Sequence, residues 1–204
     1  MVRVYTWLPP SPLAIVEGAI GPDLGHGAIE LIDKDDKPYL YISFWPDLDG
    51  IEGRLTTVLK HRRTRQPSCL ADEVDPDGYF LQRPPDFIDE VGGLDEHYIV
   101  SRWRKLKDKR YHFHRWNCSD VCKRLLLLAM SRRDRRIVRR AATCGTDLPR
   151  RRDYGSLMEW LRALASSRVV ACTPEDVRRL VSVYNSLHEG RARNVAVELA
   201  AKTV

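Results

Sequence analysis

Residues 25–45 decide the fold. Gly25 to Ile32 reads GHGAIELI and Tyr39 to Trp45 reads YLYISFW, joined by the turn-rich Asp33-Lys34-Asp35-Asp36-Lys37-Pro38. Apolar and polar residues alternate on both sides of that turn, the pattern of two antiparallel strands in a hairpin. Successive strand side chains point to opposite faces. Ile29 and Leu31 therefore share a face with Leu40, Ile42 and Phe44, and if these apolar sets meet in the core, the other face collects His26, Glu30, Tyr41, Ser43 and Trp45. With a turn centred near Asp35, His26 stands opposite either Ser43 or Trp45.

Working outward, Val2 to Trp7 alternates and reads as a further strand. Residues 46–93 are rich in Pro, Gly and Asp without periodicity and read as a long covering segment with short elements. A helix is expected from Asp95 to Lys107 with Ile99, Trp103 and Leu106 on one face, then a short strand from Tyr111 to His114. From Ser119 to Met130, Val121 and Leu125 to Leu128 cover nearly the whole circumference, which describes a central helix buried by the fold. Further helices are expected at Ser156 to Ala165, at Pro174 to Leu187 with Thr173 as N-cap, and at Arg193 to Lys202. The expected architecture is α+β: a small antiparallel sheet packed on a central helix over 1–131, followed by an all-helical basic extension over 132–204.

A chain of 204 residues with 43% hydrophobic side chains can bury one core of ordinary size. Its longest uninterrupted apolar run, Leu125 to Met130, is far short of the roughly 18 residues that span a bilayer. The opening MVRVYTWLPPSPL places prolines where a signal peptide carries its apolar stretch, and five cysteines is an odd count. Both point to reduced thiols and a cytoplasmic setting in the producing cell. The net charge of +6 is unevenly spread: residues 1–131 hold 18 basic and 20 acidic side chains, residues 132–204 hold 16 and 8. Nine arginines fall within Arg132 to Arg152. Such a run meets an acidic partner or an anionic surface, or is simply a solvated helix face. It has no interleaved aromatics for base stacking, so nucleic acid is not the expected partner.

The sharpest chemical feature is Asn117-Cys118-Ser119-Asp120, where a short strand gives way to the buried helix. A cysteine in the first turn of a helix feels the positive end of the macrodipole and free backbone N–H groups, both of which favour the thiolate. Asn117 is a good N-cap, and Asn117 and Ser119 support the helix start and the oxyanion there. A thiolate nucleophile needs a base, and His26, between Gly25 and Gly27 on a rigid strand, is the best placed of six histidines. Ser43 across the hairpin is the candidate orienter of the imidazole, and Tyr41 and Trp45 are the expected substrate-binding side chains. A rival set, His112, His114, Cys118 and Cys122, has the form H-x-H-x3-C-x3-C and could hold zinc. It lacks a Gly-rich knuckle and a second ligand cluster, so no metal and no cofactor is expected.

The order of a hairpin histidine and a later helix-start cysteine, carried by GHGAIEL, YISFWP and WNCSDV, resembles the circularly permuted papain-like cysteine hydrolases. That superfamily includes lecithin:retinol acyltransferase-like proteins and bacterial cell-wall peptidases. The chain is most similar to a bacterial group associated with secretion-system toxins, to which the segment from Leu70-Ala71-Asp72 through Leu94-Asp95 is also similar. The resemblance covers roughly residues 1–130. It implies Cys118 as nucleophile, His26 as base and a third polar residue near Ser43. Serine departs from the His, Asn, Asp or Glu usual there, leaving a dyad or a triad. It further implies an effector delivered without a signal peptide, with an immunity or delivery protein as partner. Its substrate would carry an acyl bond in protein, cell-wall peptide or lipid. No exposed Trp or Phe cluster accompanies the basic run, because Met158, Trp160, Leu161 and Leu164 read as a core face. An amide or peptide-type bond is therefore the expected target; a phospholipid acyl bond at anionic membranes and a non-catalytic papain-like binding module are the alternatives.

Overall fold

The structure, a computed structural model, describes residues 1–9, 25–47, 63–75, 77, 83–112, 116–142 and 172–202. Its elements are strands β1 (Val2–Trp7), β2 (His26–Ile32), β3 (Pro38–Ile42), β4 (Trp45–Pro46), β5 (Thr64–Arg65) and β6 (Phe87–Val91). The helices are α1 (Leu70–Val74), α2 (Glu96–Leu106), α3 (Cys118–Ala129), α4 (Arg132–Ala142) and α5 (Pro174–Lys202). Four strands form an antiparallel sheet in the order β3-β2-β1-β6, and β4 pairs with β5.

The hairpin expected from the alternation is present, with Ile29 opposite Ile42 and Glu30 opposite Tyr41. Its turn is built by Asp33, whose Oδ1 accepts from the backbone N–H groups of Asp35 at 2.8 Å and Lys37 at 2.9 Å. Every residue of β2 is buried, because both faces of the sheet are covered. Ile29, Leu31, Ile42, Val2 and Val4 enter the main core with α2 and α3. Tyr5, Trp7, Ala28, Tyr41 and Trp45 form a second cluster on the opposite face, closed by Leu70 and Val74 of α1. The expected strand through Trp45 instead ends at Ile42; Ser43 and Phe44 carry the chain away from β2 so that Trp45 can pair with Arg65.

Two helix starts follow the sequence closely. Asp95 accepts from Tyr98 N–H and caps α2, which buries Ile99, Trp103 and Leu106. Asn117 accepts from Asp120 N–H at 2.7 Å and caps α3. The expected strand at Tyr111 to His114 is reduced to one bridge between His112 and Trp116, and residues 113–115 lie outside the described residues. The expected Ser156 to Ala165 helix also lies outside them. The last two expected helices are one, α5, whose backbone continues through Gly190. Residues on both sides of position 131 contribute to one buried cluster. Val138 of α4 and Val177, Leu180, Val181 and Tyr184 of α5 are buried in the same cluster as Val121 and Leu125 of α3. Among the described residues no helix is long and apolar enough to cross a membrane.

Gly25 shows why the strand bearing His26 begins where it does. Its φ of +75° lies in the left-handed region, and a Cβ there would stand 2.6 Å from the Trp7 carbonyl oxygen. Glycine alone lets β2 enter the sheet this close to β1. Gly25→Ala is expected to cost about 1–2 kcal/mol from the dihedral alone, with the clash adding to it. Urea unfolding of the two proteins checks this, and equal midpoints would contradict it.

Candidate active site

The His26 imidazole is 1% exposed and sits between two indoles. It stacks on Trp45 with centroids 4.2 Å apart and planes 15° from parallel, and Trp7 lies 5.6 Å away on another side. The hairpin therefore brings His26 to both of its expected neighbours: Trp45 by stacking, and Ser43, whose Oγ lies 2.8 Å from His26 Nε2.

The third member of the cluster comes from the segment that carried no readable pattern. Glu73, on the five-residue helix α1, is fully buried, with Oε1 3.0 Å from His26 Nε2. Its carboxylate also accepts from Ser43 Oγ at 2.9 Å, from Trp45 Nε1 at 2.6 Å and from the Tyr41 hydroxyl. Four donors thus converge on one carboxylate, which is what a charge excluded from water requires. Tyr41 and Trp45, expected on the substrate side, are buried and turn their polar atoms to Glu73. The available signal was weak. Leu70, Glu73 and Val74 stand at i, i+3 and i+4, so an acid occupies the apolar stripe of a very short helix.

With Nε2 held by Glu73 and Ser43, Nδ1 is buried without a hydrogen-bond partner, and the same imidazole is coupled electrostatically to the Cys118 thiol. Cys118, at the first position of α3, is 7% exposed. Burial alone would push its thiol up. The His26 imidazolium, the Gly27 N–H and the Ser119 hydroxyl outweigh that and hold it below the ordinary range. Burial would likewise push His26 down, but the facing Cys118 and Glu73 charges raise the imidazole to about 10. Glu73, which burial would raise, is kept low by His26 and by hydrogen bonds from His26, Tyr41 and Trp45. These shifts favour the thiolate of Cys118 and the imidazolium of His26, with Glu73 as a second anion beside the ring.

The other thiols differ. Cys122, one turn along α3, is driven well up by burial, and burial also raises Cys172. Asn117 spends its side chain on the helix start: Oδ1 caps α3, and Nδ2 donates to the Cys172 carbonyl at 3.0 Å. Ser119 is buried, with Oγ 3.9 Å from Cys118 Sγ. Among the described residues no group of three His, Cys, Asp or Glu side chains is placed to hold a metal ion, and His114 lies outside them. Comparisons with protein-family models, with curated proteins and with solved structures returned no match.

Proposed function

We propose that this protein is a thiol-dependent hydrolase or acyltransferase acting on an amide or peptide-type acyl bond. The observation that carries the reading is the buried Glu73 carboxylate on His26 Nε2, with Nδ1 left without a hydrogen-bond partner and the Cys118 thiol coupled to the same imidazole. A dyad of cysteine and histidine thereby gains the acidic orienter that Ser43 could not supply, and Ser43 bridges the two. In this mechanism the Cys118 thiolate attacks the acyl carbon, and the S–C bond forms as the carbonyl π pair moves to oxygen. The backbone N–H groups at the start of α3 stabilise that oxyanion. His26 Nδ1 gives its proton to the leaving amine as the C–N bond breaks. Nδ1 then takes a proton from water, whose oxygen displaces the thiolate from the acyl-enzyme. Glu73 stays ionised throughout and holds the ring orientation.

The first test is thiol reactivity. Under limiting iodoacetamide at pH 6.5, Cys118 should label before every other cysteine, because an ordinary thiol of pKa about 8.5 is only about 1% thiolate there. Peptide mapping reads the order, and faster labelling of Cys172 or Cys69 would remove the nucleophile assignment. The second test is chemistry. Wild type, but not Cys118→Ala, should release new amine termini from protein or cell-wall peptide substrates. Cys118-dependent release of fatty acid from vesicles would replace the amide with an ester.

A further inference from the structure

Helix α4 has two very different sides. At about 100° per residue, Asp134 and Val138 fall together, and both are buried, Asp134 at 4% and Val138 at 0% exposure. Asp134 accepts from Ser131 Oγ at 2.7 Å and lies 3.7 Å from His188 Nε2 of α5. The only acid of α4 is thereby withdrawn into the protein. On the opposite arc stand Arg132, Arg133, Arg136 and Arg139, all exposed, with Ile137 37% exposed beside them. Arg135, at the boundary, spends its guanidinium on the Leu128 and Met130 carbonyls at the end of α3. Arg132, Arg133 and Arg136 have no ion pair among the described residues.

We propose that this outer face of α4 docks the protein on an anionic phospholipid surface. The cations are all guanidinium groups, which bind phosphate oxygens in a forked geometry, and their aliphatic stems can lie along apolar surface. They stand about one turn apart, so several can meet headgroups at once. Ile137 adds an apolar contact within the same arc, where a nucleic-acid reader would carry an aromatic or an amide. The docking site is not the acyl site. Cys118 opens α3, which is about 18 Å long, and α4 begins beyond the opposite end of that helix. The inference is therefore independent of the hydrolase reading.

The test is co-sedimentation of the full chain with phosphatidylcholine vesicles containing or lacking phosphatidylglycerol. Binding should require the anionic lipid and weaken steeply as salt is raised. Each arginine at an anionic surface contributes about fivefold in affinity, so replacing Arg132, Arg133 and Arg136 together by Gln should weaken binding roughly a hundredfold. Ile137→Ala should weaken it only a few-fold. Thermal unfolding should not change in the triple arginine variant and the Cys118 labelling rate should not change in either variant, which separates failure of docking from failure of the thiol assignment. Equal binding to neutral vesicles, wild-type binding by the triple variant, or tighter binding to duplex DNA at matched phosphate concentration would each overturn the proposal.

Discussion

Glu73→Ala should destabilise the protein by about 3–5 kcal/mol, the range for removing one partner of a buried ionic cluster. Three donors, from Tyr41, Ser43 and Trp45, would be left facing one another with no acceptor, and the imidazolium would lose its anion. Against a total stability of about 5–15 kcal/mol, that loss puts the fold at risk. Glu73→Gln is the informative companion. It keeps the volume and one carbonyl oxygen but brings an NH2 group among donors, so a smaller loss of about 1–3 kcal/mol is expected. The pH dependence carries a sign. Glu73 has a folded pKa below its ordinary 4.5, so its contribution is complete above about pH 4.5 and drains away as pH falls through the folded value. Glu73→Gln should lose that acid limb in urea titrations run across pH. If wild type and Glu73→Gln weaken in parallel on acidification, the carboxylate is not ionised in the native state.

His26→Ala removes the other partner of the same buried ionic cluster and should also cost stability, offset in part because Tyr41, Ser43 and Trp45 still donate to Glu73; in the folded protein Cys118 should no longer be special. The lowered thiol pKa rests chiefly on the facing imidazolium; without it, burial dominates and the thiol moves up. Labelling by iodoacetamide at pH 6.5 should slow by about one to two orders of magnitude, and the midpoint of its pH profile should move upward past the ordinary thiol range. Turnover should fall by about 10²–10⁴, the usual worth of a general base. Ser43→Ala should cost less in both, because Glu73 still reaches Nε2 directly at 3.0 Å. Unchanged labelling in His26→Ala would mean that the helix start alone makes the thiolate, and the imidazole would lose its role.

The parts of this design legible in the sequence are those set by local rules. The alternation of Ile29, Leu31 and Ile42 gave the hairpin register to within one pair, Asn117 announced its helix by capping chemistry that acts within three residues, and the stripe of Ile99, Trp103 and Leu106 marked the helix after Asp95. Glu73 obeys no such rule. Its ionised burial depends on donors from Tyr41, Ser43 and Trp45, about 30 residues away, which converge only after the hairpin forms and α1 packs on it. Strand β6 was hidden for a related reason. FIDEV is short, places Ile88 at 55% exposure on the outer face of the sheet, and is tied to β1 partly through Arg3 and Glu90. The run from Arg132 to Arg152 was recognisable as basic, with a solvated helix face as one reading, but not that Asp134 turns inward, because Ser131 and His188 supply the reason.

The bond from Asn117 Nδ2 to the Cys172 carbonyl ties the start of the nucleophile's helix to a residue more than fifty positions later. During synthesis, a ribosome that has extruded the sheet, α1 and α3 has produced both Cys118 and His26. It has not yet produced the Val177, Leu180 and Tyr184 side chains that share a core cluster with Cys118. The core around Cys118 is thus completed late in translation, once α5 emerges. A nascent or prematurely terminated chain ending before residue 172 would carry the nucleophile without its finished surroundings.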